Sequence, residues 1–459
     1  MPKITFMGAG STVFAKNVLG DCMCREALQS ADIALYDIDK SRLEESYAVL
    51  SALNSNINKN RAKITTYLGP ANRKKALKGA DFVVNAIQVG GYEPSTVIDF
   101  EIPKKYGLRQ TIGDTLGIGG IFRGLRTIPV MLDFARDMEA VCPNAWFLNY
   151  TNPMAILTGA MLRGSSIKTV GLCHSVQACI ESLLVTLGMY SWEDHWEKGI
   201  FAADLGYRGK VAGINHMSWL LELTKDGKDF YPEMKKIAKK FVKQHRGHLE
   251  DPEKCGANLI RLEMIDKFGC YVTESSEHNA EYAPFWIKSG YPELLAEYGI
   301  ALDEYPRRCV KQIKRWKEQY AEICQNGKVT HKLSPEYASM IMNAIVTGSP
   351  IQIGGNVLNK GFIDNLPADA VVEVPCLVDH NGIQGTHVGR LPVQCAAMNM
   401  TNINVQLLTI EAALTGKKEH IYHAAMLDPH TASELSIDDI IAMCNDLIKA
   451  HGDMLPKYR

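Results

Sequence analysis

KITFMGAGSTVFAKNVLGDCMCREALQSADIALYDID, residues 3–39, reads as strand, glycine turn, helix, strand and acidic end. Ile4, Thr5 and Phe6 form a short strand that delivers Gly8 and Gly10 to a tight turn. Ser11 and Thr12 are capping residues for the helix that follows. Glycines let backbone approach a pyrophosphate, and a helix start adds N–H donors and a positive dipole end. Gly8, Ala9, Gly10, Ser11, Thr12 and Val13 are the expected cofactor loop, with Val13 where the usual fingerprint has a third glycine. The second strand, 33–36, ends at Asp37. A carboxylate there accepts from ribose hydroxyls and repels a 2′-phosphate, so the pattern predicts NAD rather than NADP.

Alternation of strand and helix continues to about residue 187. Strands are predicted at 63–67, 82–87, 145–148 and 168–172. The apolar run FVVNAI, 82–87, suits a strand buried on both faces and ends at Gln88, Val89 and two glycines. The next two strands end at Asn149 to Pro153 and at Cys173-His174-Ser175. Open α/β sheets bind ligands at these carboxyl ends, although each such residue taken singly also fits a loop or helix cap. TIGDTLGIGGIFRGLR, 111–126, is glycine-rich and then helical, and holds Asp114. It fits a lid or wall over the cofactor and equally a surface loop.

The character changes after about residue 190. Segments 210–214 and 219–223 look like antiparallel strands with Asn215-His216 between them. Segment 233–245 reads as an amphipathic, basic helix and 247–256 as a mobile polar loop. The run YVTESSEHNAEY, 271–282, is dense in ionisable groups. Helices are predicted at 309–324, 335–346, 393–414 and 437–450, and strands at 351–353 and 371–374. The two parts are expected to share an extensive interface.

Bulk composition narrows the function. A chain of 459 residues suits two or three domains with sizeable cores. A formal net charge of −1 gives no electrostatic case for nucleic acid or an anionic membrane. No apolar run is long enough to span a bilayer, and Lys3 enters a strand without a signal peptide before it. The 12 cysteines are scattered without paired CxxC motifs, which points to reduced thiols and a cytoplasmic protein. A dinucleotide domain by itself suggests a dehydrogenase. A strand-end Cys173 with His216 further on can bind a borderline divalent ion, or be a buried thiol and a capping imidazole.

The segments ITFMGAGST, LYDID, ADFVVNAIQVGGY, GDTLGIGG, WFLNYTNPM, GLCHSVQ, AGINHMSW, VTESSEHNAEY, VEVPCLVD and AAMLDPHT resemble family four of the glycoside hydrolases, the NAD- and manganese-dependent glycosidases. The similarity runs nearly end to end. CHSVQ, VTESSEHNAEY and MLDPHT resemble the α-galactosidase branch in particular. The resemblance implies an α/β fold: a Rossmann-type domain over 1–190 and an α+β domain of the lactate/malate dehydrogenase-like kind over 191–459, carrying substrate, metal and subunit contacts. It implies NAD and Mn²⁺ as cofactors, an oligosaccharide of the melibiose or raffinose type as substrate, and a dimer or tetramer.

The chemistry it implies is redox-assisted elimination. NAD⁺ would take hydride from C3 of the sugar, a base would take the now acidic C2 proton, and the aglycone would leave from C1. Water would then add and the hydride return. Cys173 and His216 match the family's metal ligands, Asn152 its substrate asparagine, and Asn149 the same pocket. Asp114 matches an acid that tunes the base. Where phospho-specific members carry an Asp after the cysteine, this chain has His174, an expected leaving-group acid. Their tyrosine base has no counterpart in 257–264, so Glu274 and Tyr282 are the candidates. Ser95 replaces their early arginine and favours an unphosphorylated sugar. An α-glucosidase or α-glucuronidase is the near alternative; a sugar or hydroxy-acid dehydrogenase and a nucleotide-sensing binding protein are the distant ones.

Overall fold

In the computed structural model, which describes residues 1–249, 252–326 and 329–459, the cofactor stretch opens a parallel half-sheet. Its strands are β1 (Lys3–Met7), β2 (Asp32–Asp37), β3 (Lys63–Leu68), β4 (Phe82–Asn85), β5 (Trp146–Asn149) and β6 (Lys168–Gly171). They lie in the order β3-β2-β1-β4-β5-β6, the doubly wound dinucleotide-binding arrangement. Ile4, Phe6, Val83, Val84, Phe147 and Leu148 are buried, as a sheet covered by helices on both faces requires.

The C-terminal half extends this sheet. Its strands are β7 (Tyr207–Ile214), β8 (Met217–Lys225), β9 (Lys228–Asp229), β10 (Tyr271–Val272), β11 (Ile351–Leu358), β12 (Val371–Asp379) and β13 (Gly382–Gly385). β11 pairs antiparallel to β6 at Asn356 and Gly171, and the order continues β12-β7-β8-β10. One apolar cluster accordingly runs from Ile4 and Phe6 to Trp219, Leu220 and Val372. The chain therefore has a Rossmann-type half and a C-terminal half built on one continuous sheet.

Several expectations are corrected. Ser11 precedes the helix Thr12–Met23 but makes no side-chain capping bond; Thr12 Oγ1 instead donates to the Gly10 carbonyl at 3.3 Å. The expected loop at 247–256 gives way to a helix from Pro252, with residues 250 and 251 outside the described residues. Proline suits a first helical turn, where its missing N–H has no partner to lose. The helix expected from Pro335 begins at Ala338, and the one expected from Cys309 begins at Glu304. Segment 111–120 is buried throughout, which excludes the surface-loop reading. The polar run 276–282 is a buried helix, because its side chains find partners inside the protein.

Candidate active site

The parallel strands end on one edge, and that edge gathers the expected site residues. On the cofactor side, Gly8 has φ +84° and lies so close to β4 that a Cβ would stand 2.8 Å from the Ala86 carbonyl oxygen. Gly10 N–H donates to Asp37 Oδ2 at 2.6 Å, and a Cβ on Gly10 would meet that same oxygen at 2.8 Å. Asp37 Oδ1 accepts from the N–H groups of Ile38 and Asp39. The acid thus braces the turn it faces. Ala9 and Thr12 are buried, while Ser11 is half-buried and Val13 is exposed. Gln88 Nε2 donates to Thr96 Oγ1 at 3.4 Å, and the Val89 carbonyl accepts from Arg126 Nε at 3.1 Å.

Cys173 follows β6. Its N–H donates to the hydroxyl of buried Tyr337 at 2.7 Å, and that hydroxyl donates back to the Cys173 carbonyl at 2.8 Å. His216 sits in the turn between β7 and β8 with φ +63°, and Glu274 follows β10 with φ +67°. The His216 Nε2 atom lies 3.3 Å from Cys173 Sγ and 3.7 Å from Glu274 Oε2. The sulfur, nitrogen and carboxylate ligand atoms all fall within 4.8 Å of one another, a grouping unique among the described residues. Tyr282 Oη lies 3.0 Å from His216 Nδ1, so the ring is gripped at its other nitrogen.

The electrostatics of this cluster suit a cation. Burial opposes a charge on His216, yet Cys173 and Glu274 push its pKa up to about 10. Burial also opposes the Glu274 carboxylate, but His278, His216 and Arg261 hold it down at about 2. A thiol, an imidazole and a carboxylate converge on one small volume. The sulfur and imidazole nitrogen of Cys173 and His216 are a donor pair that fits a borderline divalent ion, with the Glu274 carboxylate beside them.

The remaining candidates lie around it. His174 has 44 % of its side chain exposed, and its Nε2–H donates to Glu336 Oε2 at 2.8 Å. Burial works against the imidazolium, but Glu336 and Cys173 raise its pKa. Asn152 Oδ1 is a buried acceptor without a donor, while the Asn152 backbone carbonyl accepts from Arg123 Nε at 3.0 Å. Asn149 differs from expectation. It has no exposed surface, and its amide oxygen accepts from Asn85 Nδ2 and Thr151 N–H while its nitrogen donates to the Thr151 carbonyl. It shapes the turn that carries Asn152. Asp114 is buried beside Thr115, whose hydroxyl donates to it at 2.7 Å. Tyr282 is buried, whereas 25 % of the Glu274 side chain is exposed.

Two contributors escaped the sequence reading. Glu336 lies 162 residues from His174, and no spacing in SPEY announced it. Glu281 sat within the ionisable run, where the density was visible but the partner was not. Its Oε1 accepts from the N–H groups of Thr111 and Ile112 at 2.5 and 3.1 Å, and its Oε2 from Gly113 at 3.0 Å. Glu281→Ala should cost about 3 kcal/mol of stability in urea unfolding, because buried donors lose their acceptor. Burial pushes Glu281 up to about 7, from an ordinary 4.5, against those three donors. A raised folded-state pKa gives stability that is full below 4.5 and lost as pH climbs to about 7; unfolding of wild type and Glu281→Gln across that window measures it.

The family model described as family 4 glycosyl hydrolase matches residues 3–189, and its C-terminal domain model matches 211–431. The chain belongs to the family 4 glycosyl hydrolases. Within this family it is 59 % identical to an alpha-galactosidase of Bacillus subtilis (strain 168), over 100 % of both chains. It is 32 % identical to an alpha-galactosidase of Rhizobium meliloti (strain 1021), over 99 % of this chain and 89 % of the relative. A 6-phospho-alpha-glucosidase from gut microorganisms, solved with NAD and Mn²⁺, shares the fold at TM-score 0.79 and 21 % identity, over 100 % of both chains. No helix among the described residues is long and apolar enough to cross a membrane.

Proposed function

We propose that this family 4 glycosyl hydrolase is an NAD- and divalent-metal-dependent α-galactosidase that cleaves terminal α-galactosides of the melibiose or raffinose type. The observation that carries this is the 59 % end-to-end identity with an alpha-galactosidase. Cys173 and His216 would hold the ion, with manganese the expected one, and Gly8 to Val13, Asp37, Gln88 and Val89 would hold NAD. When bound, these groups supply reversible oxidation at C3 and polarisation of the oxygen there, which makes the C2 proton removable.

The chain's own side chains do the rest. Glu274 Oε2 takes the C2 proton; it is the accessible candidate beside His216, whereas the Tyr282 hydroxyl is buried against the His216 ring. His174 gives a proton to the departing glycosidic oxygen, its ring oriented by Glu336. Asn152 Oδ1 accepts a sugar hydroxyl, which supplies its missing donor. Glu281 fixes the wall that carries Asp114. Ser95 in place of an arginine leaves no cation there for a sugar phosphate.

The same reading divides the chain at residue 190 into a cofactor half and a substrate half, and takes the protein as a cytoplasmic dimer or tetramer. Ten unpaired cysteines among the described residues support a reducing compartment. The test is hydrolysis of p-nitrophenyl α-galactoside after chelation, with NAD⁺, Mn²⁺ and reductant restored singly and together. Release that needs both NAD⁺ and metal without net NADH is expected. Steady NADH accumulation from a sugar, with no release, would make the protein a dehydrogenase.

A further inference from the structure

A second set of buried charges lies away from the Cys173–His216 cluster and ends on the cofactor edge. Arg126, on the helix Gly117–Val141, has no exposed side-chain surface. Its Nη1 and Nη2 donate to Asp99 Oδ1 and Oδ2 at 3.0 and 2.6 Å. Its Nε donates to the Val89 carbonyl at 3.1 Å. Asp99 Oδ1 also accepts from His451 Nε2–H at 2.9 Å. His451 closes the helix Ile437–His451, and its ring stacks on Phe122 with centroids 5.8 Å apart. Three residues later, Met454 Sδ accepts from the hydroxyl of fully buried Ser95 at 3.1 Å, and Ser95 N–H donates to the Gly90 carbonyl at 3.4 Å. Residues 451 and 454 therefore reach the segment after β4 by two separate routes.

A buried, bidentate ion pair adds little net stability, since desolvation offsets its attraction, but it holds its members in one geometry. Here the group it holds is a backbone carbonyl on the ligand-binding edge of the sheet. We propose that His451 and Met454 are positioning residues for NAD: through Asp99 and Arg126, and through Ser95, they fix the 88–91 backbone against which the dinucleotide docks. This rests on the cofactor reading above. A loop ordered before the ligand arrives loses less conformational freedom on binding, so releasing it weakens affinity without removing any direct contact.

The experiment is calorimetric titration of the full chain with NAD⁺, with amide exchange followed over 88–96. His451→Ala should weaken NAD⁺ binding by about tenfold and accelerate exchange in that segment, while Mn²⁺ binding stays unchanged. His451→Gln, whose amide still donates to Asp99, should recover most of the affinity. Met454→Ala, a milder change that keeps the test readable if His451→Ala does not fold, should weaken NAD⁺ by about threefold. Leu447→Ala supplies the control: Leu447 is buried on the same helix and has no polar side-chain atom to donate to Asp99, so it should lower stability and leave NAD⁺ affinity within about twofold. Unaltered NAD⁺ affinity in both His451→Ala and Met454→Ala overturns the inference, as does an equal loss in Leu447→Ala. A wild-type chain that takes up no NAD⁺ sinks the cofactor reading and this inference together; normal wild-type binding with unaffected variants sinks this inference alone.

Discussion

Cys173→Ser should abolish divalent-metal uptake and glycosidase turnover together, with turnover falling by about a thousandfold or more, the equivalent of roughly 4 kcal/mol of transition-state stabilisation. The sulfur is placed by its backbone, because Tyr337 both accepts from the Cys173 N–H and donates to its carbonyl. A serine would keep that backbone. Its oxygen, however, sits on a shorter bond and does not ionise as a thiol does, so the ion would lose its soft ligand while the fold stays intact. Titration with Mn²⁺ and with NAD⁺ separates the effects: metal binding should vanish and dinucleotide binding should survive. Retained metal affinity with retained turnover would place the metal centre elsewhere.

The second large effect concerns the proton at C2. Glu274→Gln should lower turnover by about 10²–10⁴-fold, the usual contribution of a positioned base, and stop incorporation of solvent deuterium at C2 of the released sugar. Metal binding should persist. Tyr282→Phe should behave differently. Its hydroxyl lies 3.0 Å from the His216 nitrogen that faces away from Cys173, so its loss should weaken the metal by about 10–100-fold and be largely repaired at saturating Mn²⁺. If Glu274→Gln instead loses the ion, the carboxylate is a ligand, as its 3.7 Å approach to His216 Nε2 also permits. If Tyr282→Phe stops deuterium incorporation at saturating metal, the phenol is the base.

The cofactor half was legible because its information is local. Gly8, Gly10 and Asp37 lie within one βαβ unit, and the period of apolar residues dictates the strands that bring them together. The glycine-rich segment after Thr111 was harder to place. Its composition spoke of mobility, whereas its burial is imposed by Glu281, a residue 170 positions away. Glu336 was invisible for the same reason: its meaning comes from the antiparallel strands that bring the C-terminal half against β6. Asn149 shows the opposite error. Strand-end position marked it as pocket-lining, but its amide is fully engaged in the turn, whereas the buried oxygen of Asn152 lacks a donor. Position along a strand shows where a residue ends up. Hydrogen-bond accounting shows whether it remains free to act.

The left-handed backbone at His216 and Glu274 bears on how this protein could be improved. Such a conformation costs glutamate about 1–2 kcal/mol, while histidine adopts it more readily. Glycine at Glu274 would relax the chain there, whereas glycine at buried His216 would open a cavity and leave Glu274 without that partner. A library sorted only for survival at high temperature would therefore drift toward exchange at Glu274, and the winners would be durable and inert. Selection for heat tolerance in this scaffold needs a sugar-release signal at every round, because durability and chemistry compete for that one backbone position.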